Sequence, residues 1–473
     1  MTKTLLFYDL ETSGFNPRED KIMQFAGQRT DMDLNPVGEP INYYIKMTED
    51  SLPSIDAVLL TGITPQKTLE DGITEAEFVK IFDAQISQPG TTFVGFNSIR
   101  FDDEFMRFFL YRNFYDAYEW QWKNNQSRWD LLDLVRMTRA LRPEGIEWPV
   151  DEEGKSINKL ELLTKANKLS HDSAHDAMSD VTGTIMLAKL IKSKQGKLFD
   201  YLLEMRDKKK VQEFLTKNNT FVYCSGKYPA EFEKTTIVLS LGPHPDRQGT
   251  LVYDLRHDPD EFLNLSAEEL AKRWKYEKEP KTKRLPVKSM QSNRCPAIAP
   301  MSVFDGKSIK RLSIDLSIVD SNKQKLLGNK DFYSKVAKAL EILNKDRESG
   351  YKSKKMFVDG LLYEGFIPDQ DKRLMSEIYK SLPATMPNFA DKRLNALATL
   401  YVARNYPKKL DENQRTSWDK YRQEYLFDGG NNSKFVKYMT QITQRKQTAK
   451  DSNQTYLLDE LSLWGESIMP EVL

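Results

Sequence analysis

Apolar positions in the first hundred residues come in short runs separated by turn residues, and these runs read as strands. The first, Thr4-Leu5-Leu6-Phe7-Tyr8-Asp9-Leu10-Glu11, is apolar until it ends in two carboxylates. Residues 21–30, with Ile22, Phe25 and Ala26 as apolar members, and residues 41–46 read as a second and a third strand. Their short connections predict an antiparallel meander. An amphipathic helix is predicted over 75–86, stopped by Gln88-Pro89-Gly90, and a buried fourth strand over 91–96. The pattern then becomes helical, from about 104 to 115 and again from Leu160. A long helix running to about Lys194 carries an apolar stripe of Val181, Ile185, Ala188 and Leu190, which predicts packing on a sheet.

The second half reads differently. Four short apolar runs, 220–223, 236–240, 250–255 and 285–288, are broken by Gly and Pro and predict a small β domain. A helix near 330–345 leads to a polar stretch, 346–355, read as a linker. Beyond it the chain is helical, with stripes such as Leu394, Leu397, Leu400 and Tyr401.

At 473 residues the chain exceeds what one hydrophobic core supports, so two or three domains are expected. The boundaries fall at 1–195, 196–350 and 351–473. Two cysteines, Cys224 and Cys295, are too few for a disulfide framework or a Cys-rich zinc site, and both are expected to be reduced. No run of about 18 apolar residues and no basic-then-apolar leader pattern is present, so a cytoplasmic protein without membrane association is expected. Lys and Arg (70) balance Asp and Glu (69), so any polyanion-binding surface must arise from uneven distribution. Locally, Lys272, Arg273, Lys275, Lys278, Lys281, Lys283, Arg284 and Lys288 make one basic segment, read by default as a solvated face.

Side chains two apart on a strand share a face, so Asp9 and Glu11 point together. Two anions that close call for a compensating cation, and oxygen ligands favour Mg²⁺ or Mn²⁺. An isolated Asp-x-Glu is common, so the weight rests on further acids. Asp102 and Asp103 sit at a strand-to-helix junction, where one can cap the helix while the other faces Asp9 and Glu11. Asp180 lies in the first turns of the long helix, and His175 just ahead of it can act as a base on a substrate held there.

Taken together, Asp9, Glu11, Asp102, His175 and Asp180 resemble the DEDD exonuclease superfamily in its His-containing branch. The resemblance includes Asn97 with Phe101-Asp102 after the buried strand, the His-x-Ala-x-x-Asp spacing of His175, Ala177 and Asp180, and the loop Leu60-Thr61-Gly62-Ile63-Thr64. Ser127-Arg128-Trp129-Asp130, Leu141-Arg142-Pro143-Glu144-Gly145 and Leu163-Thr164-Lys165-Ala166-Asn167 are similar to the bacterial exonuclease I family, densely to about residue 195 and more thinly beyond.

That resemblance implies an α/β ribonuclease H-like exonuclease domain with a mixed sheet, then an SH3-like β-barrel, then an all-helical C-terminal domain. It implies Mg²⁺-dependent 3′→5′ hydrolysis of single-stranded DNA to 5′-mononucleotides, processive and in DNA repair and recombination. Asp9, Glu11 and Asp180 would be ligands to two Mg²⁺ about 4 Å apart, replaceable by Mn²⁺, with Asp102 acting through water and His175 taking a proton from the attacking water. Arg107, Tyr118, Trp122, Arg136 and Lys159 are the implied DNA contacts. The wider stretch Arg107, Tyr111, Arg112, Phe114, Tyr115, Tyr118, Trp120, Trp122 offers cations and stacking faces, although aromatic residues also fill cores. Implied partners are a single strand with a 3′ end and the acidic C-terminal tail of single-stranded DNA-binding protein, and a monomer is expected. Two alternatives are an RNA or proofreading exonuclease with the same site and a catalytically silent nucleic-acid binding module.

Overall fold

The computed structural model describes residues 3–170, 176–277, 282–351, 356–380 and 386–469. It forms two compact units, one of Met1–Ser127, His171–Thr182 and Met356–Leu473, the other of Arg128–Ser170 and Gly183–Lys355.

In the first unit β1 (Thr4–Thr12) is the central strand. It pairs antiparallel with β2 (Ile22–Thr30) on one side and parallel with β4 (Thr91–Gly95) on the other, and β2 pairs antiparallel with β3 (Ile41–Tyr44). The expected meander is therefore present within a mixed sheet. Leu5, Leu6 and Phe7 are fully buried, as a strand covered on both faces requires. A register shift between Glu11 and Thr12 ends regular pairing just past the two carboxylates. A fifth strand, β5 (Ser127–Asp130), starts at Ser127, whose hydroxyl lies 2.9 Å from that of Thr92.

The helix that follows β4 begins at Asp102 and ends at Arg112, two residues earlier than expected at its start. Phe105, Met106, Phe109 and Leu110 join Tyr8, Phe25, Phe78 and Phe93 in the core. Phe108 and Tyr111 on its other side pack with Leu362, Phe389, Leu394, Leu397 and Tyr401 from the C-terminal region, whose regular elements, among the described residues, are all helices. The helix predicted over 75–86 is α-helical only over Glu75–Ile81 and continues as a wider turn, Phe82–Ile86.

In the second unit five strands form one antiparallel sheet in the order β10-β6-β7-β8-β9. They are β6 (Thr220–Cys224), β7 (Thr235–Pro243), β8 (Gly249–Asp254), β9 (Val287–Gln291) and β10 (Ala297–Ala299). The strand expected at 285–288 is displaced to β9, because Pro286 has no N–H to donate and its carbonyl instead accepts from Asp254. The three-residue β10, bracketed by Pro296 and Pro300, is too short for its alternation to be read in advance.

The long helix extends to Glu204 with a break at Gln195, near its expected end. Residues 346–351 are not a linker but the last turns of the helix Phe332–Tyr351, since Arg347 and Glu348 are good helix formers. Cys224 and Cys295 are buried thiols outside any disulfide. Among the described residues no helix is long and apolar enough to cross a membrane.

Candidate active site

Alternation along β1 sends Tyr8 and Asp9 to opposite sides. Tyr8 goes into the aromatic core, where its hydroxyl donates to Asp103 at 2.6 Å. Asp9 and Glu11 go to the other side, and one carboxylate oxygen from each of Asp9, Glu11 and Asp180 lies within 4.8 Å of the others.

Asp102 reaches the same place by a tight exit from β4. A side chain at Gly95 would meet the Ser98 Cβ at 2.5 Å, and Asn97 takes a left-handed φ of 67°, which Asn tolerates better than most residues. The turn brings Asp102 to the backbone of β1, where it accepts from the Leu10 N–H at 3.2 Å. Neither Asp102 nor Asp103 caps its helix, whose N-cap is Phe101 without a side-chain bond. Both acids are drawn instead to β1, which offers buried donors that must be satisfied.

Asp180 is placed by the start of its own helix. Asp176 caps that helix, accepting from the Ser179 N–H at 3.0 Å, and its carbonyl accepts from the Asp180 N–H at 3.0 Å. Asp176 is also a fifth carboxylate acting on the cluster, a part that its spacing from the other acids did not reveal. His175 lies outside the described residues, as do Lys278 and Lys281 of the basic segment.

Burial and mutual repulsion work together on these acids. Desolvation, then Asp102, Glu11, Asp180 and Asp176, hold the Asp9 carboxyl well above its usual range. Glu11 is pushed up to about 8, by desolvation first and then by Asp180, Asp102 and Asp176. A bound cation opposes all of these influences. Three hard oxygen donors brought together at this cost make a divalent-metal site.

Of the stretch read as a stacking surface, most is core. Tyr111, Phe114, Tyr115 and Trp120 are buried, and buried Arg112 pairs with Glu75 at 2.8 Å. Trp122 is open, at 63% exposure, and Tyr118 partly so. Arg107 is held by Glu104 at 2.6 Å and Gln121 at 3.0 Å, with its guanidinium 5.5 Å from the Tyr118 ring. Tyr363 from the C-terminal region joins this group, donating to Glu104 at 2.5 Å. It was invisible in the sequence because its partners lie more than 250 residues away. Arg136 and Lys159 belong to the second unit, where Arg136 pairs with Asp133 at 2.7 Å and Lys159 stands exposed before a helix.

Three family models match in sequence: Exonuclease over residues 6–188, Exonuclease I SH3-like domain over 206–341 and Exonuclease I C-terminal domain over 357–468. Exodeoxyribonuclease I of Haemophilus influenzae is 42% identical over 436 residues, covering 89% of this chain and 90% of that protein. Its Escherichia coli counterpart is 36% identical over 479 residues, 98% of each chain. The solved exonuclease I of Methylocaldum szegediense superposes with a TM-score of 0.91 at 37% identity, over 99% of this chain and 100% of that one. The E. coli enzyme gives 0.91 in complex with a dA16 oligonucleotide, at 36% identity, and 0.90 in a zinc-bound complex with single-stranded DNA, at 35%, and an exonuclease I complex with SSB-Ct gives 0.90 at 36%, each over 99% of this chain and 100% of that one. Since the likeness runs the length of the chain and the acidic cluster stands within its exonuclease segment, this protein belongs to the exonuclease I family of exodeoxyribonucleases.

Proposed function

We propose that this protein is a Mg²⁺-dependent exonuclease that shortens single-stranded DNA from its 3′ end, releasing nucleoside 5′-monophosphates processively in the cytoplasm during repair and recombination. The observation that carries the reading is the convergence of Asp9, Glu11 and Asp180 within 4.8 Å in a chain of this family. Solved relatives support the substrate, having been captured with single-stranded DNA. A solved exonuclease I complex with SSB-Ct likewise supports the acidic tail of single-stranded DNA-binding protein as a partner, and we take the enzyme to act as a monomer. The three family matches fall inside the segments 1–195, 196–350 and 351–473, which we propose as the domains.

Asp9, Glu11 and Asp180 would hold two Mg²⁺ or Mn²⁺ ions, with Asp102 oriented by the Leu10 N–H beside them. When bound, the metal supplies positive charge that stabilises the phosphorane-like transition state and favours ionisation of the attacking water. His175 takes the proton of that water. The water oxygen bonds to phosphorus as the bond from phosphorus to the 3′ oxygen of the preceding nucleotide breaks, and that oxygen is protonated as it leaves. Arg107, Tyr118, Trp122, Arg136 and Lys159 contact the strand, the cations through phosphate and the rings through base faces.

The test is digestion of 5′-labelled single-stranded DNA beside matched duplex and RNA, with Mg²⁺ or EDTA, by the wild type and by His175→Ala. A ladder shortening from the 3′ end, on single-stranded DNA and only with metal, is expected, much weakened in His175→Ala near neutral pH. Equal loss of RNA would overturn the substrate, and binding without cleavage would make the chain a binding module.

A further inference from the structure

β1 runs on to Thr12, but its pairing with β4 ends at Phe7 and Val94. Past that point the backbone donors of β1 on this edge need other acceptors, and the Leu10 N–H finds one in the Asp102 carboxylate at 3.2 Å. Tyr8, whose side chain lies on the face away from Asp9, donates its hydroxyl to Asp103 at 2.6 Å. The two residues that flank Asp9 thus hold the two acids that open the helix Asp102–Arg112.

The Tyr8 ring is fixed by its own packing. It stacks on Phe25 with ring centroids 5.9 Å apart and meets Phe93 and Trp120 edge-on at 6.2 and 6.5 Å. Tyr8 is 3% exposed and Asp103 1%, so water does not compete for the bond between them. A phenol donating to a sheltered carboxylate is among the stronger hydrogen bonds. Phe105, Met106 and Phe109 of the same helix enter the core beside Tyr8 and set how deeply the helix sits, but apolar contact has no direction. The two hydrogen bonds fix where its first turn stands along β1.

That placement works against a repulsion. After burial, Asp102 is the neighbouring charge that acts most strongly on the Asp9 carboxyl. Without a cation the two acids push the start of the helix away from β1, and the Tyr8 bond, made on the far side of the strand, holds it in place. A helix start that recedes leaves fewer molecules in the arrangement that takes a metal, and apparent affinity falls in the same proportion.

We propose that Tyr8 and Asp103 are positioning residues for the metal centre, their hydrogen bond on the core face of β1 keeping Asp102 beside Asp9 before a divalent cation binds. This rests on the reading of Asp9, Glu11 and Asp180 as metal ligands and adds to it a pair that touches neither metal nor substrate.

The experiment measures Mn²⁺ binding to the DNA-free full chain by calorimetry for the wild type, Tyr8→Phe, Asp103→Ala and Asp103→Asn, with a thermal melt of each in EDTA. Tyr8→Phe keeps the ring and the Asp103 side chain and removes only the hydroxyl. It is expected to weaken Mn²⁺ binding on the order of 10-fold, the lower end of what losing a group behind a metal ligand costs. On single-stranded DNA its kcat should fall at limiting Mg²⁺ and recover at saturating Mg²⁺, with KM for DNA unchanged. Asp103→Ala and Asp103→Asn lose the same carboxylate, but only Asn still offers the Tyr8 hydroxyl an oxygen, so Asn is expected to bind Mn²⁺ more tightly than Ala. A bond that served the fold alone would change the melting temperature and leave these readouts where they were. Wild-type Mn²⁺ affinity in Tyr8→Phe, a kcat loss that Mg²⁺ does not relieve, or equal affinities of the two Asp103 variants would overturn the proposal. The comparison of Asn with Ala decides it even where Tyr8→Phe does not melt cooperatively. A wild type that binds no Mn²⁺ would overturn the metal reading itself, whereas one that binds it just as Tyr8→Phe does overturns the positioning pair alone.

Discussion

Asp180 does two opposed things to the fold and the chemistry. It completes the oxygen set with Asp9 and Glu11, and without a cation it is the largest single charge, after burial, raising the Glu11 carboxyl. Raised carboxyls release protons in the unfolded chain before the folded one. Between the ordinary Glu value of 4.5 and about 8, metal-free stability therefore falls as pH rises. Asp180→Asn is expected to lower single-turnover hydrolysis on the order of 10³-fold, the several kcal/mol that a metal site supplies. In EDTA at pH 8 the same variant should melt above the wild type, and the difference should shrink toward pH 5. A variant as active as the wild type would remove Asp180 from the site. The identities of these acids were legible because strand period fixes Asp9 with Glu11. The part played by Asp176 was not, because a helix cap and a cluster member look alike in sequence.

Among the secondary elements, the turn after β1 is locked from a distance. Lys21, just before β2, donates to Asp359 at 2.8 Å, and Asp359 accepts from both terminal Arg404 guanidinium nitrogens at 2.9 and 2.7 Å. Arg404 also grips Asp50 at 2.6 Å, closing a buried group of two cations and two anions. Arg18 in the same turn donates to the Gly360 carbonyl at 2.5 Å. Burial alone would raise the Asp359 carboxyl, but Arg404 and Lys21 outweigh it and hold it far below the usual range. Its contribution is thus present above the unfolded carboxylate value and lost as pH falls through that range and below. Asp359→Asn leaves Arg404 and Lys21 undercompensated and should cost about 3–5 kcal/mol, read as a lower urea midpoint at neutral pH. An unchanged midpoint would show that the lock contributes nothing.

Across the entire chain, the first unit is assembled from both ends, with Met356–Leu473 in the same compact body as Met1–Ser127. Phe108, Tyr111 and Phe114 share an apolar cluster with Leu362, Phe389, Leu397 and Tyr401 of the C-terminal region, and Met23, Met47 and Ile63 pack with Leu426, Trp464 and Ile468. Deleting everything after Lys355 uncovers both clusters. The shortened chain is expected to bind a hydrophobic dye and to lack the cooperative melt of the first unit. A melt at the wild-type temperature would mean that the N-terminal segment folds alone. This dependence could not be read from the segment order, which shows an exonuclease segment followed by two additions.

Whatever depends on neighbours within a few residues was already written in the order of the amino acids. The strand period joins Asp9 to Glu11, turn residues bound the strands, and apolar stripes mark the helices. Family motifs carried the site residues further, because their order along the chain survives without coordinates. Folding in three dimensions chose among options wherever the partners lie far apart. It sent Tyr111, Phe114 and Trp120 inward while leaving Trp122 open, gave Asp103 to Tyr8 rather than to a helix end, and joined Tyr363 to Glu104 and Lys21 to Asp359. The physical reason is that burial and charge compensation act through space. A residue's chemistry and its place in a local period state what it can do, and only the groups packed around it select which of those it does.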